Sequence, residues 1–346
     1  MNVIMQRKSL KALDVKVMPI VVKGVTLGMI TITVVNTVKT TNHKEMKKVN
    51  EYEKAIDEMK EMGYQWDADT YGEDGKPILK ITKSSMMSYE WCPKKYEFSY
   101  IERLPQDQTE AMRKGTIVHN AREEFFNEFD IKKAETMEAE ELIDYCSSLF
   151  PVDEYAEMYM TIASFEAQRF LEARGEGKTH EYLPIVNEGL FDAEIIIPKN
   201  FSKKYPLKEN YTVRLQGIID RIFIENGNLI PFELKTGRWS DGKVSSMRKE
   251  MAFYQLMIES CPVEVLEKYG LNSKMNVTHW GWYYPAADHF FVEPVKSRSM
   301  TSVKDLIAKL IKAYEEKNFE PKFYAPTCSK YCSFYGKCSA ENGFGF

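Results

Sequence analysis

The stretch LQGIIDRIFIENGNLIPFELKTG, residues 215–237, places two apolar segments on either side of Asn226-Gly227. An Asn-Gly pair between apolar runs predicts a two-residue β-hairpin, because both central residues of that turn take φ > 0. With those two residues in the loop, Glu225 faces Asn228 and, further along, Asp220 faces Glu233. Cross-strand Cβ atoms lie ~5 Å apart on one face, where like charges destabilise the pair. Lys235 follows Glu233 by two positions, projects from the same face and brings one compensating charge. A divalent cation would supply the rest. A structural Asp/Glu/Lys cluster at the end of a sheet is the other reading of these three residues. Gly217 and Gly237 are expected to allow close backbone approach around this face. Paired hard oxygen ligands suit Mg²⁺ or Mn²⁺, with water and substrate phosphate completing the shell. A lysine beside that metal can orient water and neutralise a charged transition state, so phosphodiester hydrolysis is the natural chemistry.

Working outward, the segments IVNEGLFDAEIII (185–197), YTVRLQGIIDRIFIE (211–225) and NLIPFELKTG (228–237) read as strands. A helix is predicted over 245–260, a strand over 278–284 and an amphipathic helix over 301–317. Before the strands, residues 132–181 hold twelve acids against five bases with helical periodicity, which predicts a helical lobe with an acidic outer face. A helix over 110–129 carries His119 and an apolar stripe of Val118, Phe125, Phe126 and Phe129. Ser84 and Ser85 can cap a helix through SMMSYEWCPKKYEFSYIERL (85–104), which Pro93 must break, with Cys92 in the break. Residues 1–48 contain nine bases and two acids and read as a basic, hairpin-like extension, either touching a polyanion or simply solvated. An amphipathic helix is expected over 46–62 and a turn-rich linker up to Lys80.

Over 346 residues, 44% hydrophobic and 28% charged, the net charge is only -4, so no global electrostatic attraction to nucleic acid is expected and contacts must be local. The run VTLGMITITVV (25–35) is about half the roughly 20 residues of a membrane span, and a cytoplasmic protein with no membrane contact is the expectation. Candidate phosphate contacts are Arg113, Lys114, Arg221, Arg238, Lys243, Arg248 and Lys249, with plain solvated charge the simpler reading of any one of them; Trp91, Trp239, Trp280 and Trp282 are candidates for stacking on bases, with core or rim packing the commoner use of each taken singly. Cysteines stand at 92, 146, 261, 328, 332 and 338. Three of them crowd the C-terminus, a pattern that favours metal ligation over a disulfide framework. Four thiolates suit either Zn²⁺ or a [4Fe-4S] cluster.

Asp220 followed by Glu233-x-Lys235, after a helix bearing His119, resembles the PD-(D/E)XK nuclease superfamily. Cys92 before that helix and Cys328, Cys332 and Cys338 at the end resemble the iron-sulfur RecB-like exonucleases, the group of the CRISPR-associated adaptation nucleases and AddB. The blocks SSMMSYEWCPKKYEFSYIERLP, KGTIVHNAREEFF, LQGIIDRI and PFELKTG are similar to that group's motifs. The resemblance covers residues 81–346 and implies an α/β (α+β) restriction-endonuclease-like core, a mixed central sheet flanked by helices, with a helical lobe and an iron-sulfur clasp. It implies a nuclease domain over 81–346 and leaves the N-terminal basic β-rich extension, helix and linker of residues 1–80 unassigned. Within that domain it places the lobe at about 130–182, the catalytic core at 184–290 and a C-terminal helix with the cysteine cluster at 301–346.

Carried over residue by residue, the resemblance implies that His119, Asp220, Glu233 and the Leu234 carbonyl bind metal, with Glu188 near it. Lys235 would position the attacking water. Tyr254 fits a Gln-x-x-x-Tyr element in which Glu250 replaces the amide. Cys92, Cys328, Cys332 and Cys338 would hold the [4Fe-4S] cluster, shielded by Tyr331, Phe334 and Tyr335, while Cys146 and Cys261 are bystanders. The first C-terminal gap, Cys328-x3-Cys332, is one residue longer than the usual one. The activity implied is a Mg²⁺- or Mn²⁺-dependent DNA exonuclease favouring single strands or frayed ends, with protein partners in a repair or CRISPR adaptation complex.

Overall fold

The computed structural model describes residues 67–71, 77–106 and 109–344; the expected basic hairpin of residues 1–48 and the helix over 46–62 lie outside them. The chain runs β1 (Asp67–Tyr71), β2 (Pro77–Thr82), α1 (Lys83–Trp91), α2 (Pro93–Tyr96) and a π turn at Glu97–Ile101. Next come α3 (Glu110–Glu128), α4 (Ile131–Ala134), α5 (Ala139–Ser148) and α6 (Ala156–Gly175), then β3 (Val186–Ile197), β4 (Tyr211–Glu225) and β5 (Asn228–Leu234). The remainder is α7 (Val244–Ser260), α8 (Val263–Glu267), β6 (His279–Tyr284), β7 (His289–Pro294), α9 (Ser297–Glu316), α10 (Ala325–Tyr331) and α11 (Tyr335–Asn342).

The seven strands form one mixed sheet in the order β1-β2-β4-β5-β6-β7, with β3 also on β4. β2 with β4 and β5 with β6 are parallel, and the other pairs are antiparallel. The hairpin has the expected register, from Glu225 opposite Asn228 to Arg221 opposite Phe232. Asn226 and Gly227 take φ of 50° and 77°, the left-handed region the two-residue turn requires.

Helices cover both faces. On one, Met251, Phe253 and Met257 of α7 and Ile307, Leu310 and Ile311 of α9 pack on Val213, Leu215 and Ile219. On the other, Phe125, Phe126 and Phe129 of α3 and Phe170 of α6 pack with Tyr182, Phe223, Phe232 and Tyr283. Truncating any of these buried aromatics to Ala is worth about 3–5 kcal/mol. The lobe expected at residues 130–182 is thus a layer on the sheet, buried through its apolar stripe.

Two expectations change. The stretch up to Lys80 contains strands β1 and β2, and the division at residue 80 falls inside β2, a strand whose Leu79–Thr82 pair in parallel with Val213–Gln216. Turn residues masked this strand because only PILKIT, residues 77–82, carries its pattern. Strand β7 was not expected: it is an edge strand whose Phe290 and Val292 stay exposed and which ends in Pro294, a residue tolerated only at sheet edges. The break at Pro93 is present, and helical structure resumes after it as α2 and then widens into a π turn ending at Ile101.

Candidate active site

β4 is long enough to have two partners on one edge. β3 pairs along its other edge from Tyr211 to Ile222, so β2, pairing with residues 213–216, and β5, pairing with 221–225, must share the remaining one. β2 runs parallel to β4 and β5 antiparallel, so their carboxyl ends converge on a gap beside residues 217–220. Strand ends at such a gap form a natural ligand crevice. The free backbone groups there are met by side chains: Tyr254 donates from its hydroxyl to the Ile218 carbonyl at 3.0 Å, and the Leu234 amide donates to Asp220 Oδ2 at 2.9 Å.

Asp220 and Glu233 are both buried beside this gap. His119 comes from α3, its Nε2 3.2 Å from the Leu234 carbonyl and its Nδ1 3.4 Å from both Glu188 Oε1 and Asp220 Oδ2. A proton on Nε2 directed at Leu234 turns the Nδ1 lone pair toward the two carboxylates, the way ligand imidazoles are oriented. Glu188 lies opposite Asp220 on β3, between the pairs Asn187–Arg221 and Gly189–Ile219, and takes φ of 53°. A non-glycine residue held there costs about 1–3 kcal/mol, which the surrounding contacts must offset. Its neighbour must be Gly189, since an added Cβ would fall 2.3 Å from Val186 Cγ1.

The two acids are driven apart electrically. Burial, then Glu233, pushes the Asp220 carboxyl up, against His119 and Lys83. Burial also works on Glu233, but Lys235 and Lys83 outweigh it and hold that carboxyl far below the usual range. Lys235 Nζ donates to Glu233 Oε1 at 2.8 Å and to Glu250 Oε2 at 2.7 Å. Lys83 pairs with the same Glu233 oxygen, lies 3.9 Å from Glu250 Oε2 and sits 4.8 Å above the Tyr254 ring. Lys83 was missed by the sequence reading. It is the first residue after β2, just beyond the stretch read as a linker, and its place follows from where that strand ends.

The donor set fits a hard divalent ion. Ligand atoms of His119, Glu188 and Asp220 lie within 4.8 Å of one another, and buried Glu233 Oε2 has no hydrogen-bond partner among the described residues. An orphaned buried carboxylate oxygen is costly unless something cationic meets it. These contacts open on a cavity of about 450 Å³ lined by His119, Glu233, Lys235, Thr236, Ser246 and Glu250.

A second cluster lies at the chain's end. Cys92, in the break after α1, and Cys328, Cys332 and Cys338, on and between α10 and α11, line one small apolar cavity with Phe98 and Phe334. The Lys322 amide donates to Cys92 Sγ and the Tyr324 amide to Cys328 Sγ, each at 3.4 Å. Phe334 is buried against Phe98, whereas Tyr331 is exposed. Cys146 is buried in the lobe and Cys261 packs beside α7, so neither approaches this group.

Several expectations are corrected. Arg221 is fully buried and donates to Glu188 Oε1 at 2.8 Å, so it braces the site and does not face phosphate. Burial lowers its guanidinium to about 10. Trp280 and Trp282 are core residues, closed to bases, and Trp239 packs on Tyr284 and His289. Arg248 is tied to Glu293, and Arg113 to Glu110 and Glu154. Gly217 and Gly237 are not needed for close approach: a Cβ at Gly217 would meet Met257 at an ordinary 3.5 Å, and one at Gly237 would meet nothing within 4 Å.

A mixed sheet that presents two buried acids, a lysine and a histidine at converging strand ends defines a protein of the nuclease class. The chain belongs to the PD-(D/E)XK nuclease superfamily, whose family model matches residues 80–339. Nucleases of this superfamily use divalent metals and act on DNA. Among solved structures, the chain is similar to one titled "Crystal structure of SSO0001", at 14% identity and a TM-score of 0.33, over 86% of this chain and 98% of that one. No curated protein matches it significantly. No helix among the described residues is long and apolar enough to cross a membrane.

Proposed function

We propose that the protein is a Mg²⁺- or Mn²⁺-dependent DNA exonuclease that favours single strands or frayed ends. On this reading it belongs to the iron-sulfur RecB-like group and works in DNA repair, recombination or CRISPR-type DNA processing. The observation that carries the metal-dependent chemistry is the orphaned Glu233 Oε2 beside the His119, Glu188 and Asp220 group. Those four side chains, with the second lone pair of the Leu234 carbonyl, would hold the ion, which when bound polarises a phosphoryl oxygen and lowers the pKa of a water. Lys235, braced by Glu250, is placed to orient that water, and its Glu233 contact keeps the ammonium at the strand end. Lys83 adds a second cation on the same side, toward the charge that develops on the phosphate. Tyr254 holds the β4 backbone open at Ile218 and so keeps the gap in shape.

The clasp reading is supported by the shared cavity of the four cysteines. A cluster held there would join the Cys92 break to the C-terminal helices.

The test is cleavage of end-labelled single- and double-stranded DNA with Mg²⁺ or Mn²⁺, comparing wild type with Glu233→Ala and Lys235→Ala. Loss of cleavage in both variants is expected, with product lengths revealing polarity. Cleavage that survives both sinks the site, and tight DNA-end binding without cleavage would mark a binding subunit of a larger assembly instead.

A further inference from the structure

Beside the active-site cavity lies a second concavity of about 280 Å³, walled by α1, α7, α9 and the loop before β4. The two share the first turns of α7: Ser246, Met247 and Glu250 face the active site, while Ser245 and Lys249 face the second cavity. Four lysines line it, Lys204, Lys249, Lys309 and Lys322, against two carboxylates, Glu90 and Asp305.

Both carboxylates are engaged. Glu90 Oε1 holds Lys249, and Asp305 Oδ1 accepts from the Ser202 hydroxyl at 2.6 Å. Among the described residues neither Lys204 nor Lys309 has a carboxylate within 4 Å, yet both lie over one ring, Tyr205, at 5.3 and 5.9 Å. The fold fixes the backbone from which they project. Ser202 accepts from the Lys204 and Tyr205 amides at 3.1 and 2.9 Å, and Tyr89 donates to the Lys309 carbonyl at 3.1 Å. Lys322 reaches the Glu90 carbonyl and closes the side toward Cys92. Two ammonium groups from separate elements over one ring, without carboxylate partners, give this concavity a local positive charge that attracts an anion.

We propose that this pocket binds the phosphodiester backbone of the DNA strand on its way into or out of the active site, with Lys204 and Lys309 as the principal contacts. This rests on the nuclease reading of the neighbouring cavity. A strand crossing α7 from Glu250 to Lys249 passes from the reacting phosphate to the pocket within a helical turn, and charge contacts of this kind are independent of base sequence.

The test is fluorescence anisotropy of a labelled 20-nucleotide single strand with the full chain in Ca²⁺, which leaves binding readable whether or not cleavage occurs. Lys204→Gln/Lys309→Gln is expected to weaken binding about tenfold at low salt and to make the salt dependence shallower by about 1.4, at ~0.7 per lost single-strand contact. A control that removes the same charge elsewhere, Lys132→Gln/Lys274→Gln, is expected to change neither. Matching melting temperatures show that the variants fold. Unchanged affinity and slope in the pocket variant, or equal loss in the control, overturn the proposal, as does a wild type that binds no strand. A mononucleotide that binds as tightly as the 20-mer overturns the strand path in favour of a single-nucleotide site. Strand binding that depends on the two lysines, without cleavage in Mg²⁺ or Mn²⁺, removes the nuclease reading and leaves the pocket standing.

Discussion

Lys83 and Glu233 form an ion pair across the gap between two strand ends, joining residues 150 positions apart. Lys83 opens α1 directly after β2, Glu233 is the penultimate residue of β5, and neither strand pairs with the other. The contact exists only because both strands end against the same edge of β4. A second cation on Glu233 makes the site richer in positive charge than the Asp/Glu/Lys motif alone.

Replacing Lys83 by Met is therefore expected to lower DNA cleavage about a hundredfold, the scale of losing one stabilising cation from a closed site. Lys83→Arg should recover part of it. Single-turnover rates at saturating Mn²⁺ measure both, and a Met variant with wild-type rates would show Lys83 to be structural only.

Asp220→Asn is expected to abolish metal-dependent cleavage while stabilising the metal-free fold by about 1 kcal/mol. Burial and the neighbouring Glu233 disfavour the Asp220 charge, and an amide keeps an oxygen for the Leu234 N–H without that charge. Urea denaturation in EDTA, beside Mn²⁺ titration calorimetry, checks both halves; a destabilised variant would show that Asp220 is well paired without metal.

Within the lobe, fully buried Glu166 accepts from Arg122 at 2.6 Å and also pairs with Arg169. Burial works against its charge, but Arg169 and Arg122 outweigh it and hold its carboxyl below the ordinary value. Its contribution to stability is then present above the unfolded carboxyl pKa of about 4.3 and lost as pH falls through the lower folded value. Glu166→Gln should cost about 3 kcal/mol at pH 7, because the buried Arg122 guanidinium loses its counterion and the partly exposed Arg169 loses a partner. The gap from wild type should narrow below pH ~4, which denaturant melts at pH 7 and 3.5 would reveal; an equal gap at both would refute the assignment.

Anaerobic purification should yield iron and sulfide with a broad absorption near ~400 nm. Cys328→Ser should lose that absorption and lower the melting temperature, since the bound group links residue 92 to the C-terminal helices. Stoichiometric zinc without the absorption would replace the cluster with a zinc staple.

Much of this was legible from local pattern. Asn226-Gly227 specified the hairpin register, and the register alone put Asp220 opposite Glu233, because a two-residue turn leaves no freedom in which positions face each other. The apolar stripe of α3 placed the Val118, Phe125 and Phe126 face on the sheet and left His119 beside it, since helical periodicity is a property of neighbouring residues.

Charge assignments were less legible, because a side chain's partners come from distant segments. Arg221 and Arg248 read as phosphate contacts until Glu188 and Glu293 were found holding them. Trp280 and Trp282 could be read either as core packing or as stacking surfaces, and their burial in the core decides for packing. Lys83, Lys204 and Lys309 carried no motif of their own: a single lysine at a helix start, in a loop or on a helix looks solvated until its tertiary neighbours are known.

The sequence by itself determined the hairpin, the helical lobe, the break at Cys92 and the pairing of acids that identifies the superfamily, all of which follow from periodicity and turn chemistry over short spans. Only the tertiary structure decided that β2 and β5 end together on β4, that two lysines share Glu233 and that four cysteines from the two ends of the domain line one cavity. Those are long-range juxtapositions, specified by the packing of helices on both faces of the sheet rather than by any run of neighbouring residues.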